Sequence, residues 1–138
     1  MKSYAIAYVA TAAAFFALDA MWLSFTARVL YRPLLGNMLL DSFNLFPAAT
    51  FYLLYVIGIV IFAISPALAS GRTTTALIYG SLFGFFAYVT YDLSNQATLR
   101  NWSSIVTVVD IGWGTLLTGL AATLGYLITS AFQPLVAQ

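Results

Sequence analysis

Long apolar runs alternate with short polar interruptions along this chain, and the interruptions divide it into four stretches that can each cross a membrane. Residues 4–27 carry no charge except Asp19. At 1.5 Å per residue, a helix of that length outreaches the ~30 Å of a hydrocarbon core. A second run, residues 45–65, has no charge and halts before Pro66, and a third, residues 75–99, follows Gly71 and a set of threonines. The fourth covers residues 104–132, entered after Asn101 and Ser103 and expected to stop at Gln133 and Pro134. The pattern predicts one domain over residues 1–138, an all-α integral membrane bundle of four transmembrane helices. Lys2 and Ala12-Ala13-Ala14 imitate a signal peptide, but the apolar run continues past Ala14, so a retained span is expected.

The stretch from Arg28 to Asn44 fits neither pattern. Arg28, Arg32, Pro33, Gly36, Asn37 and Asp41 argue against a spanning helix, while Leu34, Leu35, Met38, Leu39 and Leu40 are too apolar for open water. A semi-buried interfacial segment between helices 1 and 2 reconciles the two. Ser42 or Asn44 is placed to cap the next helix, and Pro47 is tolerated in its first turn. In the third run Gly80 and Gly84 form G-x-x-x-G, which admits close approach of a second backbone, within the subunit or in a homodimer.

Composition narrows the class. With 62% hydrophobic residues and 7% charged ones, the chain is not a water-soluble globule. A net charge of +1 offers no basic field, so no nucleic-acid partner is expected. With no cysteine and no histidine, disulfides, thiolate zinc sites, Cys nucleophiles and imidazole proton shuttles are excluded. Chemistry falls to Asp, Tyr, Asn, Ser, Thr, Arg and Trp, with no metal site assigned and no cofactor named.

Those residues are not scattered. Tyr88, Tyr91, Asp92 and Asn95 stand at i, i+3, i+4 and i+7, one stripe of a helix. Asp19 with Trp22 and Asp110 with Trp113 repeat a D-x-x-W spacing that puts each acid and ring on a common face. Four alternating spans bring the end of the first, the end of the third and the start of the fourth to one membrane face. Asp19, Trp22, Arg28, Tyr88, Tyr91, Asp92, Asn95, Arg100, Trp102, Asp110 and Trp113 are therefore the candidate lining of one polar pocket. Arg28, Arg32 and Arg100 at that end, against Lys2 and Arg72 at the other, place it in the cytoplasmic leaflet by the positive-inside rule.

An intramembrane carboxylate needs a partner. As internal glue, Asp19 would pair with Arg28 or Arg100, Asp92 with Arg100, and Asp110 would take a hydroxyl from Tyr88 or Tyr91. The second span is expected to supply packing and lipid contact only.

The segments LDAMWL (residues 18–23), YRPLLG (31–36), TYDLSNQATLRNW (90–102) and VDIGWGT (109–115) resemble a family of small bacterial four-span membrane proteins catalogued as a domain of unknown function. The resemblance covers almost the whole chain and implies a bacterial inner-membrane protein with Asp19, Asp92, Asn95 and Asp110 as motif positions. It implies no reaction. Three functions fit the residues. A pocket for a lipid or small amphiphile, accessory to a lipid-modifying enzyme, asks least of them. An enzyme would use Asp general acid–base catalysis or an oxygen-ligated divalent metal, and a transporter would exchange protons at Asp19.

Overall fold

A computed structural model describes residues 2–42 and 44–136. Four helices long and apolar enough to span a membrane make up the bundle: helix 1 (Lys2–Met38), helix 2 (Leu45–Ser70), helix 3 (Thr73–Thr98) and helix 4, whose spanning part is Ser104–Phe132. The chain is an all-α membrane bundle, as its hydrophobic pattern predicts.

Three boundaries differ from the pattern, and in two of them a wide turn ahead of a proline gives the reason. Helix 1 does not stop at Arg28. It passes through a π-helical turn (Ala27–Tyr31) into a short α-helical segment (Arg32–Leu35) and a 3-10 turn (Gly36–Met38). Helix 2 likewise runs through a π-helical turn (Val60–Ile64) and past Pro66 to Ser70. In each case the wide turn ends two residues before a proline, Pro33 or Pro66. Widening the hydrogen-bond register there relieves the clash between the proline ring and the preceding turn, so the helix continues. Helix 4 also passes Pro134, reaching Val136. Elsewhere the local signals act as read: Asn44 accepts the Phe46 N–H at 3.3 Å, and Gly71 closes helix 2 in the left-handed region at φ 65°.

Lipid tails are as apolar as leucine, so burial of apolar surface does not hold such helices together; close packing does. The core is accordingly built on small residues. Ala7, Ala63, Ala67, Ala76, Ala121 and Ala122 are fully buried, whereas Phe25, Phe46 and Val108 point outward. Helices 3 and 4 pack closest. A Cβ on Gly80 would lie 2.6 Å from the Ala122 Cβ, and one on Gly84 would lie 2.3 Å from the Gly114 carbonyl oxygen. The G-x-x-x-G row is thus filled inside the subunit by helix 4. Gly125 of helix 4 similarly lies against Thr11 and Ile64, joining helices 1 and 2 to it.

Candidate functional site

Helices 1 and 4 run antiparallel, with Thr11 near Gly125 and Asp19 near Trp113. That direction decides how the two D-x-x-W motifs meet. On antiparallel helices the same spacing runs in opposite senses, so the acid of one motif is level with the ring of the other. The indole Nε1–H of Trp113 donates to Asp19 Oδ1 at 3.1 Å, and the Trp22 and Trp113 rings stack with centroids 4.3 Å apart and planes 7° apart. Trp22 Nε1–H donates to the Tyr31 hydroxyl at 3.0 Å, and that hydroxyl donates to Asp110 Oδ1. Each motif therefore supports the other's carboxylate, one directly and one through a phenol.

Helix 2 completes the arrangement. Tyr52 donates its hydroxyl to Asp19 Oδ2 at 2.5 Å, giving that carboxylate a donor on each oxygen. One turn further on, Tyr55 and Thr118 share a buried hydrogen bond of 3.0 Å. The second span is thus more than packing and lipid contact. The ion pairs expected for Asp19 and Asp92 do not occur: among the described residues no arginine bonds to a carboxylate, and Asp110 takes its hydroxyl from Tyr31, not from Tyr88 or Tyr91. Held by phenols and an indole, Asp19 and Asp110 take no bond from an arginine among the described residues.

Beside this network lies a cavity of about 570 Å³. Asp19, Trp22, Arg28, Tyr88, Tyr91, Trp102, Asp110 and Trp113 all line it, so eight of the eleven residues singled out from sequence share one surface. Tyr91 and Trp102 meet edge to face with centroids 6.0 Å apart, and Trp102 donates to Thr107 Oγ1 at 3.0 Å, fixing its ring. The last turns of helix 1, with Tyr31, Arg32, Leu35 and Met38, and the link after it, with Leu39, Leu40 and Asp41, close another side. Sequence reasoning missed Tyr31, Arg32 and Tyr52. The signal available for Tyr52 was its spacing of three from Tyr55 in a span that otherwise carries no strongly polar group near its start.

Three expected residues are not on the cavity wall. Arg100 is exposed beyond the end of helix 3, and Asn95 is half-buried there, its backbone carbonyl accepting the Leu99 N–H. Asp92 is fully buried, with neither carboxylate oxygen hydrogen-bonded among the described residues. Along the stripe of helix 3, Tyr88 and Tyr91 reach the cavity wall and Asp92 does not. Among the described residues no group of three or more acids is arranged to hold a metal ion.

With the geometry in place, comparison with known proteins gives one match: the family model described as Predicted membrane protein (DUF2177) aligns with residues 4–127. The chain belongs to this family. The matched region takes in both D-x-x-W motifs, the tyrosines of helix 2, the interhelical segment and Asp92, so the whole network lies within the family's own domain. No curated protein and no solved structure matches the chain.

Proposed function

We propose that this multi-pass membrane protein, sited in the bacterial inner membrane, binds the headgroup of a phosphate-bearing amphiphile in the cavity and presents it to a lipid-modifying partner. The observation that carries this reading is the combination on one concave surface of Arg28 and Arg32, unpaired by any acid, with buried carboxylates already held by aromatic donors. A cavity of about 570 Å³ suits a headgroup and the first part of its chains. Guanidinium groups receive phosphate through paired, charge-assisted hydrogen bonds. The stacked indoles give a flat apolar wall, and Met38, Leu39 and Leu40 add apolar lining for the first part of the chains. Asp19 and Asp110 favour hydroxyl or amine groups on the headgroup, which separates such lipids from plain phosphatidic acid.

Native mass spectrometry of protein released in mild detergent, with extraction of the bound lipid, tests this reading. The wild type should retain phosphate-bearing lipid over neutral lipid. Arg28→Gln/Arg32→Gln should lose that preference about tenfold or more, since one hydrogen bond to a charged group contributes ~1.5–3 kcal/mol. Equal retention by both proteins would discard the headgroup site. Metal-dependent turnover of the bound lipid would replace it with the enzyme reading, and proton-linked flux abolished by Asp19→Asn with the transporter.

A further inference from the structure

Asp92 is the one fully buried acid of the chain, and neither of its carboxylate oxygens is hydrogen-bonded among the described residues. The cavity wall does not include it, so a ligand there does not explain it. Leaving a carboxylate unsolvated and unpaired inside a membrane protein costs several kcal/mol, and such residues mark ion or proton sites by default.

The register of helices 3 and 4 shows what Asp92 faces. Gly80 packs on Ala122, Gly84 on Thr118 and Gly114, and Tyr88 on Gly114, so rising along helix 3 means falling along helix 4 by equal steps. Past Asp92 the same pairing resumes with Gln96 Nε2–H donating to Ser104 Oγ at 2.9 Å. Asp92 lies between these anchors on the buried side. Continuing the step from Tyr88 and Gly114 sets it opposite Asp110, the only acid in helix 4. Asp110 in turn borders the cavity and accepts a hydrogen bond from Tyr31.

We infer that Asp92 and Asp110 form a buried acid pair holding one proton between them across the helix 3–helix 4 interface, with Asp110 and Tyr31 connecting that proton to the cavity. Two carboxyls facing each other away from water do not both ionise. The surroundings favour a proton over an arginine as the compensating group. Around Asp110 the charged and titratable groups are Asp19, Arg28, Tyr31 and Arg32 from helix 1, and Tyr88 and Tyr91 from helix 3. Helix 2 adds Tyr52, spent on Asp19, and the link between helices 1 and 2 adds Asp41 to the cavity lining. No described group among them bonds to Asp92. Transfer is balanced within the site: the proton leaves the Asp92 carboxyl for the Asp110 carboxylate, and a cavity occupant exchanges it with Asp110 or through the Tyr31 hydroxyl.

Such a pair exists whether or not the cavity holds a lipid, so its test uses no ligand. Infrared difference spectroscopy of the protein in nanodiscs, between neutral and alkaline pH in choline chloride, reads carboxyls that are protonated at neutral pH directly. The wild type should show a protonated carboxyl stretch at neutral pH that moves when aspartate is labelled with carbon-13 in its side-chain carboxyl. Asp92→Asn should abolish that band, and Asp110→Asn should displace it, because the remaining acid then keeps the proton alone. The labelled wild type answers even if a variant does not fold. No protonated carboxyl at neutral pH, or a band indifferent to Asp110→Asn, would overturn the pair. So would a band that disappears when sodium replaces choline, which would assign a metal cation to the site instead. Lipid retention by native mass spectrometry, run on the same samples, separates failure of the acid pair from failure of the headgroup site.

Discussion

The two ends of this bundle are held together in different ways. At the end with the chain's start, helices 1, 2 and 4 meet through Ala7, Thr11, Ile64, Ala67 and Gly125, and among the described residues nothing polar beyond single hydroxyls is buried there. The surface there carries an apolar groove of about 620 Å³ lined by alanine, isoleucine, valine and leucine. At the other end, buried acids, stacked indoles and phenols surround a cavity of similar size. Dry packing of small residues is sufficient to assemble membrane helices. A chain that achieves this at one end did not need acids at the other for cohesion, and the contrast assigns them to something besides assembly.

That contrast can be broken from either side. The largest effect is expected at the glycines that bring helices 3 and 4 together. Gly84→Leu puts side-chain atoms where a carbonyl oxygen already lies 2.3 Å from an ideal Cβ, so overpacking exceeds the usual ~1–3 kcal/mol. Monodisperse protein in detergent should be lost, and normal yield with an unchanged melting temperature would deny the close approach. At the polar end, Trp113→Leu removes both the stack on Trp22 and a donor to Asp19, with an expected loss of about 2–4 kcal/mol. Thermal unfolding followed by intrinsic fluorescence or circular dichroism reads it.

Smaller changes sharpen the picture. Trp22→Phe keeps a ring for stacking but loses the donor to Tyr31, and about 1 kcal/mol is expected. A double-mutant cycle between Trp22→Phe and Tyr31→Phe should show coupling above the ~0.5 kcal/mol typical of independent sites, and additivity would dissolve the relay. At the dry end Leu124→Val, on the groove wall, should move stability by less than about 0.5 kcal/mol. A larger shift there would show the groove to be part of the packed core.

The spans and the meeting of Asp19, Trp22, Asp110 and Trp113 were legible because charge in an apolar run is a loud signal and helical spacing puts i and i+3 together. Even the crossing of the two motifs follows from alternating topology. The donors were not legible in the same way. Tyr52 and Tyr31 count as apolar or interfacial in a hydropathy pattern, and whether a phenol anchors at the membrane surface or bonds to a buried acid depends on rotation of helices that only tertiary packing sets. Formal charge suggested arginine partners, yet a short phenol reaches a buried carboxylate without dragging a second ion out of water. Asp92 was placed on the stripe it shares with Tyr88, but its burial without a hydrogen-bonding partner among the described residues is not readable from spacing. Pro33 and Pro66 read as stops because a π turn ahead of a proline leaves no mark in hydrophobic periodicity.

At the centre stands the claim that aromatic donors, not arginines, hold the buried acids, leaving the arginines for a ligand. Equilibrium unfolding in mild, lipid-free detergent decides it by comparing Tyr52→Phe/Trp113→Phe with Arg28→Gln/Arg32→Gln. The account predicts that the aromatic pair destabilises by about 2–5 kcal/mol, since it strips both donors from Asp19, while the arginine pair changes stability by less than about 0.5 kcal/mol. Arginine variants that unfold as readily as the aromatic ones would contradict it and return the network to ion-paired glue.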